Sequence, residues 1–476
     1  NVVKPLYEQQ YFVVEGRGST EVLEEGREDK VHSFEWQKGS LFSVPLNARY
    51  RIVNAASGPA LLLGGNTLPN VMNIYNNEDF IFNCPYNFRD RFDLPNGVIY
   101  LDGNSLGCLP RATPQRMEQV IRAEWGAGLI RSWNSADWVD LPARLGAKIA
   151  PLIGAQPHEV IACDSTSVNL FKLISAALAM QPGRKVVLSE PGNFPTDLYM
   201  IDGLERQGLA ERRLAERGQL IEALDDSVAL LMLTHTHYKT GETFDMAELT
   251  RAAHDAGALV LWDLSHSGGA LPVDLDGCAA DFAVGCGYKY FNGGPGAPAY
   301  AFVAEKHLEA ARQPLTGWMG HAAPFAFSDD YEAAPGIEKL LCGTPPILGL
   351  AALEVGVDLI AEIGIDRLYA KSQALSEFFR QCLSERGVAL DLVSPTDPAR
   401  RGSQMSFRHQ DAYAICQALI ARGVIGDFRD PDILRFGFAP AYLRFEDMAE
   451  AARHLAEVLE TGEWQRGEFQ ERAAVT

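Results

Sequence analysis

Alternating strand and helix patterns from residue 98 onward constrain the fold of this chain most strongly. Short apolar runs of strand length are separated by segments in which apolar residues recur with the period of a helix. Such alternation predicts an α/β fold with a mostly parallel sheet covered by helices. The predicted strands are 98–101, 160–163, 185–188, 229–234 and 259–262, and the predicted helices are 112–124, 141–152, 170–180, 204–208 and 246–256.

The two ends of the chain show other patterns. From about residue 351 the chain becomes helix-rich, with a late strand pair near 404–407 and 433–437, which predicts a small α+β C-terminal domain over 351–476 beside a large domain over 91–350. The first ninety residues form a separate, all-β unit in this interpretation, joined by a polar and aromatic connector at 76–92. Its strand-like runs are 10–18, which enters a glycine turn, 19–23, 32–36, 40–44, 50–53 and 60–63.

Charge and cysteine usage exclude several classes of partner. The formal net charge of -20 argues against nucleic acid or an anionic membrane surface as a partner. No apolar run approaches the length of a membrane span. The eight cysteines are scattered and form no CxxC pair, which argues against structural zinc and a disulfide scaffold and fits a reducing cytoplasm. No signal peptide is visible, although the first residue is not Met.

Two polar residues at the ends of predicted strands suggest cofactor chemistry. Asp263 ends the apolar run 259–262, and Lys289 follows another apolar run and precedes a glycine-rich loop. A lysine can form a Schiff base with the aldehyde of pyridoxal phosphate, and a carboxylate can hold the pyridine nitrogen protonated. The spacing alone is equally compatible with a surface lysine beside a structural aspartate.

A hydroxyl-rich turn at 164–168 lies between a predicted strand and a predicted helix. Helix N-termini present free N–H groups and partial positive charge, so this turn is a candidate phosphate site. An ordinary Ser/Thr N-cap explains the same residues.

Several long motifs resemble the kynureninase family, in its bacterial branch. They are 100–107 (Tyr-Leu-Asp-Gly-Asn-Ser-Leu-Gly), 193–197 (Asn-Phe-Pro-Thr-Asp), 262–270, 285–296 around Lys289, and 317–321 (Gly-Trp-Met-Gly-His), in order from about residue 92 to the C-terminus. The resemblance implies a pyridoxal-phosphate enzyme of the aspartate aminotransferase fold (fold type I, class V-like), with a seven-stranded, mostly parallel sheet. The implied reaction is hydrolysis of L-kynurenine to anthranilate and L-alanine, within tryptophan catabolism and NAD biosynthesis, and 3-hydroxykynurenine is not distinguished as a substrate.

The resemblance also implies roles for individual residues. Lys289 carries the Schiff base, Asp263 pairs with the ring nitrogen, and Tyr288 contacts the phosphate and is a candidate proton donor. Arg435 grips the substrate carboxylate, with Asn104 and Ser105 lining the pocket nearby. A homodimer with shared active sites follows, because two of the phosphate contacts come from the other subunit. The implied cofactor contacts are Thr166, Ser167, Phe194, Asp197, Thr234, Asp263, His266, Tyr288 and Lys289 from one subunit, and Trp318 and Thr344 from the other.

Residues 1–90 resemble part of a cupin barrel. The run Phe-Val-Val-Glu-Gly-Arg-Gly at 12–18 and the segment 39–48 carry this resemblance. The histidine and glutamate ligands of a functional cupin are missing, because Tyr7, Glu8, Gln9 and Gln10 precede Tyr11 and Tyr50 occupies the second histidine position. We therefore expect a degenerate unit that binds a small molecule or a neighbouring subunit.

Two other functions remain open on the sequence. One is another fold type I enzyme such as a cysteine desulfurase, for which Cys342 is the only loosely placed nucleophile. The other is a non-catalytic, metabolite-binding cupin fusion, which the combination of Lys289, Asp263 and Arg435 disfavours. His237 stands where related bacterial sequences often have Asn, and this departure leaves the fine substrate preference open but not the chemistry.

We predict that residues 1–90 hold no catalytic metal, since tyrosine and glutamine are poor replacements for neutral histidine nitrogen. We expect Trp36, Phe42 and Phe12 to fill the interior of the β unit instead. Elemental analysis of purified, chelator-treated protein measures this directly. Stoichiometric iron, manganese or nickel that survives chelation would contradict the prediction.

Overall fold

The computed structural model describes residues 9–24, 27–45, 48–66 and 88–472. Its N-terminal part consists of two three-stranded antiparallel sheets with orders β4-β1-β6 and β3-β2-β5. Every predicted strand of this region overlaps an observed one, whereas the cupin resemblance stays a prediction. The bounds are β1 Gln9–Glu15, β2 Arg17–Glu24, β3 Arg27–Gln37, β4 Leu41–Val44, β5 Arg49–Asn54 and β6 Leu61–Asn66.

One of the three aromatic residues predicted to fill the interior of this β unit lies outside it. Trp36 is buried and stacks near Phe42, with ring centroids 6.3 Å apart. Phe12 is 43% exposed, so its assignment to the interior was wrong. Side chains alternate between the faces of a strand, and on β1 the buried Val13 has the inward parity. Tyr7 and Glu8, two of the positions at which cupins bind metal, lie outside the described residues.

A seven-stranded sheet organises the large domain, with the order β10-β9-β11-β12-β13-β14-β8. Only β14 runs antiparallel to its neighbours, so the mostly parallel sheet is confirmed. All residues of β11 to β14 are buried, as expected for strands covered by helices on both faces. The bounds are β8 Val160–Ala162, β9 Val186–Ser189, β10 Glu211–Leu214, β11 Val228–Thr234, β12 Leu259–Asp263, β13 Phe282–Cys286 and β14 Ala299–Val303.

Two predicted elements of the large domain were partly wrong. The helix predicted at 204–208 is the end of a longer helix, Pro195–Arg206, which begins where a proline occupies the first turn. The strand predicted at 98–101 exists as β7, Ile99–Tyr100, but it pairs in parallel with Val424–Ile425 instead of joining the large sheet. The α-helices are Thr113–Gln119, which continues as the π-helix Val120–Gly128, Ser132–Ser135, Leu141–Ile149, Thr166–Met180, Pro195–Arg206, Met246–Asp255, Ile347–Ile363, Ile365–Glu385, Ala412–Ala421 and Phe445–Thr461.

The C-terminal part contains a four-stranded antiparallel sheet of order β15-β16-β19-β18. The long helices 365–385 and 445–461 pack against each other. In the described part of the chain, no helix combines the length and apolar character required to cross a membrane. The bounds are β15 Asp391–Leu392, β16 Gln404–Arg408, β17 Val424–Ile425, β18 Asp427–Arg429 and β19 Ile433–Gly437.

Asp281 is a buried acid that ties the large sheet to its surroundings. Its carboxylate accepts hydrogen bonds from His254 Nε2 and His307 Nε2, each at 2.7 Å, and from the Val260 backbone N–H at 2.8 Å. Lys306 Nζ lies 2.8 Å away. Burial favours the neutral acid, but these donors outweigh it and hold the pKa of Asp281 below its ordinary value.

Replacing Asp281 by alanine should therefore lower the free energy of unfolding by about 3 kcal/mol at pH 7, because buried donors lose their acceptor. A depressed folded-state pKa gives stability that is present above the unfolded pKa of about 3.9 and is lost as pH falls through the folded value. The stability difference should thus shrink on acidification. Urea midpoints measured from pH 7 to pH 3 test both statements.

Asp391→Ala is the matched control. Asp391 pairs with Arg408 at 3.0 Å, but its side chain is 64% exposed. Exposed pairs contribute at most about 1 kcal/mol. Equal midpoint shifts in the two variants would contradict the role given to Asp281.

Candidate active site

Lys289 lies in the loop after β13, with its ammonium group buried beside His266. Lys289 Nζ is 3.1 Å from His266 Nε2. Burial, and then the positive charge of Lys289, holds the pKa of His266 well below its ordinary value, so the imidazole is neutral and accepts from the lysine. The other ring nitrogen, Nδ1, then donates to Gln404 Oε1 at 3.1 Å. Gln404 Nε2 donates in turn to the Tyr238 carbonyl at 2.8 Å, which fixes the orientation of the amide.

Asp263 and Asp197 are two buried carboxyl groups next to one another. The parallel register pairs Asp263 with Thr234, so both lie at the carboxyl edge of the sheet. Thr234 Oγ1 is 3.0 Å from Asp197 Oδ2 and 2.5 Å from Asn193 Oδ1. Burial, reinforced by the charge of Asp263, raises the pKa of Asp197 well above its ordinary value. Burial also raises the pKa of Asp263, although the Ser265 backbone N–H donates to Asp263 at 2.7 Å.

Two aromatic rings flank the lysine. Lys289 Nζ lies 5.6 Å from the ring centroid of Phe194 and 5.7 Å from that of Tyr288. Phe194 precedes the helix 195–206 and is 36% exposed, so its ring is not part of the core. Burial raises the pKa of Tyr288, which keeps its hydroxyl protonated at neutral pH.

The hydroxyl-rich turn is a capped helix start that lies close to this pocket. Ser165 is the N-cap and accepts from the Val168 N–H at 3.3 Å. Ser167 Oγ lies 2.8 Å from Thr196 Oγ1, and this contact brings the turn to the helix that follows Phe194. Thr166 occupies the first helical position and is half-buried.

A buried lysine balances the acid of the same turn. Lys172 Nζ lies 2.5 Å from Asp164 Oδ2 and from the Leu340 carbonyl oxygen. This pairing reduces the negative charge near the N-terminus of the helix 166–180. An anion could therefore dock there without repulsion from an unpaired carboxylate.

Arg435 is fully buried and is linked to this pocket by the Tyr238 carbonyl, which accepts from both Arg435 Nη1 and Gln404 Nε2. The register of β18 and β19 places Asp427 directly opposite Arg435, and their side chains form a bidentate pair with Nε to Oδ1 at 2.8 Å. Ser105 accepts from Arg435 Nη2 at 2.9 Å. In the amide orientation that satisfies its neighbours, Asn104 Oδ1 accepts from Arg435 Nε at 3.0 Å. The predicted group of Arg435, Asn104 and Ser105 is thus assembled.

A close backbone approach delivers Asn104 and Ser105 to the site. The Gly107 N–H donates to the Tyr288 carbonyl at 2.8 Å. A Cβ at Gly107 would lie 2.2 Å from the Lys289 carbonyl oxygen, so only glycine permits this contact. The segment 102–107 therefore packs directly on the loop that carries the lysine.

Trp318 and Thr344 lie on two segments that contact each other, and both residues are exposed. The Met319 N–H donates to the Cys342 carbonyl at 3.3 Å, which joins the two segments. Trp318 is 38% exposed and packs on Phe325 and Phe327 at the surface. Their assignment to a partner's site stays a prediction.

Several polar residues of the pocket were not predicted from the sequence. Gln404 begins β16 and is buried, and Asn193 accepts from the Phe194 N–H at 2.7 Å. A buried amide at the start of an apolar strand was the available signal for Gln404. Asp427 and Arg429 belong to a three-residue strand whose partner the sequence did not reveal.

The sequence is similar to proteins of known function over most of its length. The sequence profile of the kynureninase C-terminal domain matches residues 368–455. The kynureninase of Burkholderia mallei is 52% identical over 397 residues, which cover 82% of this chain and 95% of that protein. The chain belongs to the kynureninase family. The kynureninase of Pseudomonas fluorescens, another member, is 49% identical over the same shares of the two chains.

Solved structures confirm the fold. A cysteine desulfurase from Thermococcus onnurineus superimposes with a TM-score of 0.69 at 20% identity, covering 79% of this chain and 98% of that one. A cysteine desulfurase from Escherichia coli gives 0.66 at 20% identity, with the same coverage. At this identity, the likeness to these two desulfurases shows the fold alone.

Gln404→Glu should raise the pKa of His266, because a carboxylate beside Nδ1 stabilises the imidazolium form. Carbon-13 NMR of histidine-labelled protein, with the resonance assigned through His266→Gln, measures the titration. Gln381→Glu, on an exposed helix face, is the control and should leave the titration unchanged. An unaltered His266 titration in Gln404→Glu would contradict the hydrogen-bond chain.

Proposed function

We propose that this protein hydrolyses L-kynurenine to anthranilate and L-alanine with pyridoxal phosphate as its cofactor. The observation that carries the proposal is the arrangement of Lys289, His266 and Asp263 in one buried pocket of a chain belonging to the kynureninase family. The reaction places the protein in tryptophan catabolism, with the cytoplasm as its compartment.

The charge of the pocket supports the cofactor. Asp197 and Asp263 are both buried with raised pKa values, and Asp197 Oδ1 has no hydrogen-bond partner among the described residues. A protonated ring nitrogen is the kind of cation that two such carboxyl groups accommodate. The helix start with Thr166 and Ser167 offers N–H groups and hydroxyls to a phosphate.

The other side chains of the pocket are placed to contact the cofactor. Phe194 offers its ring face, and Thr234, His266 and Tyr288 would lie around the cofactor. When bound, pyridoxal phosphate supplies the aldehyde that reacts with Lys289 and a conjugated ring that accepts electrons as a carbon–carbon bond breaks.

The side chains of the chain supply the proton transfers. Lys289 Nζ, beside a neutral imidazole, is the base for the substrate α-proton and can return it to a neighbouring carbon. Tyr288, protonated at neutral pH, can donate a proton to the departing fragment. Arg435, Asn104 and Ser105 form the end of the pocket that receives the α-carboxylate.

We extend the proposal to a homodimer with shared sites. Trp318 and Thr344 are both exposed and lie on segments that a backbone hydrogen bond joins, from which they could reach a second chain's phosphate site. This accounts for an exposed tryptophan packed among exposed phenylalanines.

The desulfurase alternative lacks a specific observation in its favour. Cys342 Sγ lies 3.0 Å from the Leu315 carbonyl, and the desulfurase structures are similar only at 20% identity. A purely binding function is disfavoured by the buried Lys289 and its ordered neighbours.

The direct test is anthranilate fluorescence after adding L-kynurenine to the protein loaded with pyridoxal phosphate. Lys289→Ala should lose the visible absorption of the bound cofactor and reduce turnover by about 10⁴-fold or more, since acid–base help alone is typically worth about 10²–10⁴-fold. Lys185→Ala removes an exposed lysine and is the control.

Absence of anthranilate from the wild-type reaction would overturn the proposed function. Substantial steady-state turnover in Lys289→Ala would overturn the role of the lysine. Running 3-hydroxykynurenine in parallel establishes which ring the pocket prefers.

A further inference from the structure

The segment that follows β11 is bonded to the C-terminal part along four consecutive carbonyl groups. We call residues 238–241 the junction segment. All four donors belong to residues 394–406, in or beside the strand β16. The pairs are Gln404 Nε2 to the Tyr238 carbonyl at 2.8 Å, Ser406 Oγ to that of Lys239 at 2.5 Å, Ser394 Oγ to that of Thr240 at 2.6 Å, and the Gly402 N–H to that of Gly241 at 2.8 Å. The position of the junction segment is therefore fixed relative to the C-terminal sheet.

His237 holds the base of the junction segment. Its Nδ1 accepts from the backbone N–H groups of Lys239 and Thr240, each at 3.3 Å, and its carbonyl accepts from the Gly241 N–H at 2.8 Å. Burial, reinforced by the positive charge of Arg217, lowers the pKa of His237 to about 4, so the ring is neutral at pH 7. Because Nδ1 is the acceptor, the single ring proton is on Nε2.

The Nε2 atom of His237 reaches the loop that carries Phe194. It donates to the Gly192 carbonyl at 3.1 Å. Gly192 has a φ of 78°, which glycine adopts without strain. Phe194 follows two residues later, with its ring centroid 5.6 Å from Lys289 Nζ. The hydrogen bond therefore holds the loop immediately before the ring that flanks the lysine.

Aromatic contacts connect the same two segments. The ring of His237 stacks on that of Tyr238, with centroids 5.4 Å apart and an angle of 25° between the planes. Tyr238 in turn meets Phe194 edge to face at 5.2 Å, a favourable geometry for two aromatic rings. The three rings thus form a continuous row that ends beside Lys289.

We propose that His237 is a positioning residue, which couples the junction segment to the loop of Phe194 and so holds the Phe194 ring against the cofactor. This inference rests on the proposed function for the contact between Phe194 and pyridoxal phosphate. One neutral side chain then connects the C-terminal sheet to the ring face of the cofactor.

Two substitutions separate the roles of the two ring nitrogens. In His237→Asn, Oδ1 replaces Nδ1 as the acceptor, because both atoms are bonded to Cγ, and the donor to the Gly192 carbonyl is lost. In His237→Gln, Nε2 keeps a donor at about the original reach, and the acceptor for Lys239 and Thr240 is lost. His237 is half-buried and both replacements are no larger than histidine, so the variants are expected to fold.

The dissociation constant of pyridoxal phosphate, titrated into cofactor-free protein and followed by visible absorbance, is the first measurement. In His237→Asn it should rise about 3- to 10-fold, because one hydrogen bond of ordinary strength no longer holds the Phe194 loop. His237→Gln should show a smaller rise, with faster hydrogen exchange of the amides of residues 239 and 240. His409→Asn is the matched control and should leave the constant unchanged, since His409 Nδ1 also accepts a backbone N–H, from Asp411 at 3.0 Å, but at the opposite end of β16 from Gln404.

A double-mutant cycle tests whether His237 acts through Phe194. Phe194→Leu removes the ring and keeps an apolar side chain. In that background His237→Asn should have almost no further effect on the dissociation constant, since the ring that the hydrogen bond positions is gone. The visible circular dichroism of cofactor-saturated His237→Asn should also differ from that of the wild type, a change that lower stability alone would not produce.

Two results would overturn the inference. One is wild-type affinity and circular dichroism in His237→Asn. The other is an equal loss of affinity from His237→Asn in the wild-type and Phe194→Leu backgrounds, which would assign His237 a role independent of the ring. Cofactor binding requires no turnover, so a wild-type protein that binds pyridoxal phosphate and releases no anthranilate would count against the proposed function alone.

Discussion

The parallel pairing of β11 with β12 places Thr234 beside Asp263, and the whole pocket depends on this alignment. Parallel strands end at a common edge, so the loops that follow them deliver side chains to one place. Lys289 arrives after β13 and Asp197 on the helix that follows β9. An antiparallel neighbour at these positions would bring the start of a strand to this edge instead of a loop with reactive groups.

Charge is segregated within the pocket. Asp197 and Asp263 lie next to one another and interact with Lys289, whereas Arg435 pairs with Asp427. A chain of hydrogen bonds through His266 and Gln404 ends at the Tyr238 carbonyl, which also accepts from Arg435. Lys289 and Arg435 are therefore connected through a chain of neutral hydrogen-bonding groups.

The sequence was sufficient for the parts of the site that depend on local pattern. Asp263 and Lys289 follow apolar strands, and the strand ends could be located from those runs. The positions of Gln404 and Asp427 could not be predicted in this way, because they depend on which distant strand lies beside them. The strand at 99–100 illustrates the same limit, since its existence was predicted and its partner was not.

That pairing has a consequence for the architecture of the chain. Residues 99–100 pair with residues 424–425, and Asp102 forms an isolated β-bridge with Gly437. Residues that precede the large sheet in the sequence therefore pair with strands of the C-terminal part. The C-terminal part of the fold is thus completed by a segment that is distant in the sequence. A fragment that begins near residue 351 would lack the strand that pairs with residues 424–425. The C-terminal part could therefore not be exchanged between relatives as one contiguous segment.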